Sequence, residues 1–134
     1  NKEINNYLEQ LSNGRLIVSI DTLKETSTGE FRDKISISVI DTDTKANSRQ
    51  KLSGGQIRQV DIATLLTLYK LQSEIYKMSF NIMIFDEIFD SLDDNNIGLA
   101  SSVLRQLCKD VCVFIISHRH ISQMDADEIL SFNT

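Results

Sequence analysis

Two short apolar runs with a helical pattern between them constrain the fold of this chain most strongly. Residues 82–85 (IMIF) and 111–116 (VCVFII) are continuously apolar, as in strands of a parallel sheet that is buried on both faces. Between them, Asp93 or Asp94 can cap a helix that carries apolar residues through Leu107. Because parallel neighbours need such a crossover, the sequence predicts a βαβ unit and an α/β fold.

The chain ahead of this unit predicts a short helix and a β-hairpin. The helix is indicated by apolar residues at helical spacing before Asn13-Gly14, which are Ile4, Tyr7, Leu8 and Leu11. Residues 15–22 and 35–41 are rich in β-branched side chains, and Thr28-Gly29 supplies the turn between them. In residues 35–41 (ISISVID) isoleucine and serine alternate, as in a half-buried antiparallel strand.

Three further segments complete the predicted organisation. Residues 43–52 are polar and without period, which predicts a loop. Residues 55–78 carry apolar side chains throughout, which predicts a long and well-buried helix. Residues 127–132 (DEILSF) predict one more short strand.

Composition excludes several classes of protein. With 134 residues the chain has room for one core, and its net charge of −5 argues against holding nucleic acid by bulk electrostatics. No apolar run approaches the roughly 20 residues that cross a bilayer, so we expect no membrane segment. Cys108 and Cys112 are expected to be buried, reduced thiols of a cytoplasmic protein. Since no methionine precedes Met78, we expect a segment of a longer protein.

Acidic and imidazole side chains follow the two predicted parallel strands. Asp86-Glu87 ends the first strand, and His118 follows the second. Ligands of open parallel sheets collect at the carboxyl ends of the strands, where one carboxylate can hold Mg²⁺ and a second can deprotonate water. The alternative is that the strand end is acidic only because it is exposed.

A glycine pair precedes the long predicted helix. In Leu52-Ser53-Gly54-Gly55-Gln56 the glycines allow close backbone approach, and the first amides of the helix can bind an anion. By itself such a segment can also be only a flexible helix cap. The order of a phosphate cradle, an acid pair and a histidine around one βαβ unit favours a nucleotide site.

Four motifs in this order resemble the ABC-type ATPases. Residues 52–56 (LSGGQ) resemble their signature, residues 82–87 the Walker B strand, residues 91–93 the D-loop and residues 117–118 the switch histidine. The resemblance covers nearly the whole chain, 1–134, as the C-terminal lobe of the head of an ABC-type P-loop NTPase. It implies a parallel βαβ sheet with an N-terminal β-hairpin and a coiled-coil root helix at residues 1–13.

One departure indicates the branch of this family. Transporter ATPases usually carry proline after the Walker B glutamate, whereas Ile88 follows Glu87 in this chain. The stretch therefore resembles more closely the DNA-repair branch of SbcC, its phage counterparts and the SMC proteins, including a phage recombination nuclease subunit. None of the five glycines is followed by lysine, so the chain carries no P-loop. In the family, Walker A lies in the N-terminal lobe.

The resemblance implies a role for each motif residue. Asp86 would support Mg²⁺, Glu87 would be the catalytic base, and His118 would contact the γ-phosphate. These three residues would serve nucleotide bound by their own head.

The signature would serve the nucleotide of the opposite head. Ser53 and Gly55 would bind its γ-phosphate, Gly54 and Gln56 belong to the same cofactor-binding motif, and Asp93 would link the two sites across the dimer.

The implied cofactors are ATP and Mg²⁺, and the implied protein is an ATP hydrolase that controls a nuclease in DNA double-strand-break repair. The expected partners are the N-terminal Walker A lobe, a second head, an SbcD-like nuclease and DNA through the assembled complex, with no membrane. Two alternatives stay open, the ATPase lobe of a transporter and an SMC-like structural clamp. The length of chain between Walker A and Leu52 would separate repair from transport.

Two further features have less specific interpretations. His120 is expected to be a surface or structural residue. The local basic stretch beside the signature is interpreted as a solvated face, with contact to nucleotide or DNA as the alternative; it consists of Lys45, Arg49, Lys51 and Arg58.

Overall fold

The chain folds as an α/β structure, as the sequence predicts. A computed structural model describes residues 1–25, 31–45, 52–77, 79–107, 109–118 and 124–132. In chain order the elements are α1 (Lys2–Ser12), β1 (Leu16–Glu25), β2 (Phe31–Asp41), α2 (Gly54–Tyr76), β3 (Ile82–Asp86), α3 (Asp94–Leu107) and β4 (Cys112–Ile116). The described strands form two sheets of two strands each, β1-β2 and β3-β4.

Strands β3 and β4 form the predicted parallel pair. Their register runs from Ile82 opposite Cys112 to Asp86 opposite Ile116, and α3 is the crossover between them. Of the two candidate caps of α3, the structure uses Asp93, whose Oδ1 accepts the backbone N–H of Asn96 at 2.8 Å. The βαβ prediction is therefore confirmed, and it brings both strand ends to one edge.

Strands β1 and β2 form the predicted antiparallel hairpin. Leu16 lies opposite Asp41, and the register shifts between Asp21 and Leu23. Both strands extend beyond their predicted bounds toward the tip, while the predicted turn at residues 28–29 lies outside the described residues.

The core lies where the three helices meet the hairpin. Helix α1 contacts α2, α3 and β1, and it buries Ile4, Leu8 and Leu11 as its helical spacing predicts. Leu66 of α2 and Phe89, in the turn after β3, are fully buried in the same cluster. This core fixes the starts of α2 and α3 relative to one another.

The prediction that β3 and β4 are buried on both faces is wrong. One face packs on the core, but the other exposes a row of apolar side chains, with Ile84 64% exposed. The row consists of Ile82, Ile84, Phe114 and Ile116. The helices cover only one face of this pair, because no further layer lies over the other face within the described part of the chain.

The expected buried thiols are corrected in part. Cys112 is the first residue of β4 and is exposed, while Cys108 lies outside the described residues.

Helix α2 is not well buried along its whole length, which corrects a second prediction. Its first half packs on α1, whereas its second half exposes Leu68, Leu71 and Ile75. The inward face of the hairpin shows the same limit, since Val39 is buried while Ile35 and Ile37 are exposed. In both elements the apolar stripe continues past the end of the core that covers it.

The predicted strand at residues 127–132 is absent. These residues form no strand, and Ile129, Leu130 and Phe132 are exposed. A strand needs a hydrogen-bonded neighbour, and no described strand pairs with this segment. Among the described residues, no helix combines the length and apolar character needed to cross a bilayer.

Two adjacent leucines on α2 test the extent of the core. Leu66 is fully buried and Leu65 is 51% exposed. We expect Leu66→Ala to lower the free energy of unfolding by about 2–5 kcal/mol, because it leaves a cavity. The matched change Leu65→Ala should cost less than about 1 kcal/mol. Denaturant titration measures both, and equal losses would contradict this assignment of the core.

Candidate functional site

The signature residues form the capped start of α2. Ser53 is the N-cap: its Oγ accepts the backbone N–H of Gln56 at 3.2 Å, and Gln56 Oε1 accepts the N–H of Ser53 at 2.9 Å. This capping box leaves the amides of Gly54 and Gly55 at the helix end, where an α-helix has no internal acceptor for them. Two donors at the positive end of a 23-residue helix suit an anionic ligand.

The signature glycines are in close contact with the turn that follows β3. A Cβ atom on Gly55 would lie 3.1 Å from the carbonyl oxygen of Ser91, and one on Gly54 would lie 3.9 Å from Ser91 Cβ. A side chain at position 55 would therefore push the two segments apart. The predicted signature and the predicted D-loop are neighbours in space.

Asp93 is held at the start of α3 by one residue. Its Oδ1 accepts the backbone N–H of Asn96 at 2.8 Å, and its Oδ2 accepts Asn96 Nδ2 at 3.0 Å. The carboxylate is exposed, so it remains available at the surface while it caps the helix.

These segments line an open pocket of about 690 Å³, whose lining residues are all polar or glycine. Ser53, Gly55 and Gln56 contribute one wall, and Ser91 and Asp93 contribute another. The link between α1 and β1 completes it, through Asn13, Gly14 and Arg15. A polar, open pocket suits a hydrated and charged ligand better than an apolar one.

An ion pair between Arg15 and Asp41, which the sequence analysis missed, contacts the signature through Gln56. The Asp41 side chain, only 3% exposed, accepts from Arg15 Nε at 3.1 Å and Nη2 at 2.9 Å, and from Gln56 Nε2 at 2.7 Å. The backbone N–H groups of Asp43 and Thr44 also donate to it. The sequence contained a signal, because Asp41 has the inward parity of Val39 on its strand.

These contacts hold the pKa of Asp41 well below its usual range. The hydrogen bond from Arg15 is the largest cause, and the bonds from Gln56 and the two backbone amides act in the same direction, against the effect of burial. The charged carboxylate therefore fixes the amide of Gln56, whose other end belongs to the capping box.

Glu87 and His118 meet at the carboxyl ends of β3 and β4. His118 Nε2 lies 3.2 Å from Glu87 Oε1, and the N–H of Glu87 donates to the carbonyl of Ile116 at 2.9 Å. Glu87 has a positive φ of 51°, which is uncommon for a residue other than glycine and is found at functional turns. Asp86 precedes it as the last residue of β3 and is exposed.

The structure thus divides the predicted site residues into two groups. Ser53, Gly55, Gln56 and Asp93 line the polar pocket, with Gly54 beside them. The pair of Glu87 and His118, with Asp86, lies at the strand ends and contributes nothing to that lining. Their catalytic and binding roles remain predictions. Of the other predicted residues, His120, Arg49 and Lys51 lie outside the described part of the chain.

Comparison with known proteins gives relatives of two kinds. Exonuclease subunit 2 of Escherichia phage RB69 is 31% identical over 124 residues, which are 89% of this chain and 19% of the phage protein. An ATP-dependent lipid A-core flippase of Francisella tularensis is 31% identical over 111 residues, which are 83% of this chain and 16% of the flippase. The chain therefore spans less than a fifth of these relatives. No protein-family model matches it.

Solved structures that are similar to this fold include SMC heads. A Smc head bound to the C-winged helix domain of ScpA has a TM-score of 0.66 and 20% identity, covering 91% of this chain and 35% of that chain. A structure described under ATP-driven dimerization and DNA stimulated activation of SMC ATPases has a TM-score of 0.63 and 20% identity, covering 99% and 78%. The chain has the fold of part of an SMC-type ATPase head. Together with the phage exonuclease subunit, this confirms the resemblance to the SbcC and SMC branch.

The pKa of Asp41 predicts a specific dependence of stability on pH. Because the folded pKa lies below the unfolded one, the contribution of Asp41 is present above about pH 4 and is lost as pH falls further. As pH falls from about 5 toward 2, unfolding of the native protein should take up progressively more protons than unfolding of Asp41→Asn, by up to one proton below about pH 4. Denaturant titrations across this range measure the difference. Parallel pH profiles would contradict the role given to Asp41.

Proposed function

We propose that this chain is the C-terminal lobe of an SbcC-like ATPase head, which hydrolyses ATP between two engaged heads and thereby controls a partner nuclease acting on DNA ends. The observation that carries the proposal is the division of the motif residues into two groups on different parts of the surface. A site that is completed by a second head requires such a division, because each head must present one half-site to its own nucleotide and another to its partner's.

The residues at the strand ends fit magnesium and nucleotide in their chemistry. Asp86 offers an exposed carboxylate, a hard oxygen ligand that Mg²⁺ accepts. The described residues include no group of three or more side chains able to hold a metal together. Mg²⁺ usually keeps several waters and takes one or two carboxylates plus phosphate oxygens. When bound, Mg²⁺ would neutralise charge on the phosphates.

In this proposal the side chains at the strand ends divide the work of hydrolysis. A carboxylate oxygen of Glu87 accepts the proton of the attacking water, and the His118 imidazole contacts the γ-phosphate. Their 3.2 Å contact brings both groups to the same position at the sheet edge. Across the dimer, the Gly54 and Gly55 amides and the Ser53 hydroxyl bind the γ-phosphate of the opposite head.

The exposed apolar faces support the proposed partner lobe. Ile84 and Phe114 lie in the exposed row on the parallel pair, and the second half of α2 exposes further leucines. An N-terminal lobe carrying Walker A would cover the parallel pair and supply the phosphate loop that this chain lacks. The second head, the nuclease and DNA would then bind the assembled protein.

The flippase relative keeps a transporter ATPase as the second candidate, since its identity to this chain equals that of the phage protein. Ile88, rather than proline, after Glu87 favours the repair branch. The sequence upstream of residue 1 separates the two candidates through the length of chain between Walker A and Leu52. Several hundred residues with a heptad pattern support repair, and roughly 100 residues support transport. An SMC-like structural clamp without hydrolysis is disfavoured by the intact Glu87.

The first test removes the proposed base in the complete two-lobe protein. Glu87→Gln keeps the shape and hydrogen bonding of the side chain but cannot accept the proton. We expect ATP turnover to fall about 10²- to 10⁴-fold while ATP binding survives. Glu74→Gln, an exposed change on α2, is the matched control. Equal losses of binding and turnover in Glu87→Gln would instead assign Glu87 a structural role.

The second test addresses the site in trans. Ser53→Arg places a long side chain where the nucleotide of the opposite head must approach, so ATP-dependent dimerisation should fail while each head still binds ATP. Ser102→Arg, at an exposed position of α3, is the matched control. Light scattering with a non-hydrolysable ATP analogue measures the dimer. A Ser53→Arg dimer as abundant as that of the control would overturn the trans assignment.

A further inference from the structure

Gln59 is a buried polar side chain that none of the motifs includes. It lies one turn after Gln56 on α2 and is 4% exposed. Its Nε2 donates to the carbonyl oxygen of Leu11 at 2.6 Å and to Asn96 Oδ1 at 2.9 Å. One amide nitrogen therefore joins the last turn of α1, the second turn of α2 and the start of α3.

These bonds set the orientation of a side chain that contacts Asp93. The amide of Asn96 can present either oxygen or nitrogen to a neighbour, since its two ends have nearly the same shape. Only the nitrogen stabilises the Asp93 carboxylate, because the oxygen would place two acceptors in contact. Gln59 donates to Asn96 Oδ1, which turns Asn96 Nδ2 toward Asp93 Oδ2 at 3.0 Å.

The backbone carbonyl of Leu11 fixes the direction of the hydrogen bonds that run through Gln59 and Asn96 to Asp93. A carbonyl such as that of Leu11 is only an acceptor, so it requires the nitrogen of Gln59 on its side. The same nitrogen then requires an acceptor from Asn96, which leaves a donor for Asp93. Because Gln59 is buried, an exchange of its two amide ends would leave the Leu11 carbonyl facing another acceptor without solvent to compensate.

We propose that Gln59 and Asn96 are positioning residues that fix the Asp93 carboxylate at the rim of the polar pocket for engagement of two heads. The inference rests on the proposed function and extends it to two residues outside the four motifs. The signature helix itself thus determines the geometry of the turn that faces the opposite head.

Three variants of the complete two-lobe protein test this inference. Gln59→Met keeps side-chain length but removes both donated bonds. Asn96→Asp keeps the acceptor for Gln59 and faces Asp93 with a second carboxylate, at a half-buried position. Gln106→Met is the control, because it makes the same change at an exposed site of α3 outside the pocket.

Amide exchange, dimerisation and binding of the analogue to the single head are measured on each variant. Hydrogen exchange without nucleotide reports the Asn96 and Ile97 amides at the start of α3, and we expect exchange at least ten-fold faster in Gln59→Met and Asn96→Asp than in Gln106→Met. Light scattering with a non-hydrolysable ATP analogue should show that half-maximal dimerisation needs at least ten-fold more analogue, while its Kd for the single head changes less than two-fold. The double variant Asp93→Asn with Asn96→Asp swaps the two side chains and re-forms a donor and acceptor pair. We expect it to restore the protection of these amides.

The outcomes separate the inference from the proposed function. Unchanged exchange in Asn96→Asp, or faster exchange with wild-type dimerisation, would overturn the positioning role. If Gln59→Met unfolds, the amide exchange and the dimerisation of Asn96→Asp decide the positioning role on their own. A wild-type protein that binds the analogue but never dimerises would overturn the proposed function, and the exchange data would still decide whether Gln59 and Asn96 orient Asp93.

Discussion

The buried carboxylate of Asp41 is the interaction on which the geometry of the candidate site depends. It accepts hydrogen bonds from the guanidinium of Arg15, which directly precedes β1, and from the amide of Gln56 in the first turn of α2. A charge removed from water is stable only when its oxygens are fully bonded, and here the partners come from two segments far apart in sequence. The start of α2 is therefore held by the hairpin, and the orientation of its free amides follows from that contact.

Two glutamines one turn apart give the first half of α2 a second function besides packing. Gln56 bonds to the hairpin through Asp41, and Gln59 bonds to α1 and α3 through Leu11 and Asn96. Strand β2 of the hairpin, α1 and α3 thus contact the first half of this helix through directional bonds as well as through apolar contact. Directional bonds specify a distance and an orientation, which a ligand site needs, whereas apolar packing tolerates small shifts.

Elements were predictable from the sequence where their cause is local. The spacing of Ile4, Leu8 and Leu11 and the cap at Asp93 depend on residues a few positions apart, and the structure confirms them. The exposure of one face of β3 was not predictable from the sequence. A continuously apolar strand predicts burial on both faces, whether the layer that covers it belongs to the same chain or to another one. The strand predicted at residues 127–132 failed for the same reason, since pairing depends on a neighbour. None of the four motifs includes Arg15, Gln59 or Asn96, and these residues come together only in the folded chain.

The uncovered face of β3 and β4 also determines how this chain behaves when it is made. A pair of parallel strands with an apolar row on one side has free backbone donors and acceptors at its edges, and such edges pair with other chains when nothing covers them. In the proposed two-lobe protein the N-terminal lobe is translated before these strands, so aggregation competes with folding until the strands pack against that lobe. Production of this chain without the proposed N-terminal lobe would leave the apolar row uncovered and prolong that period.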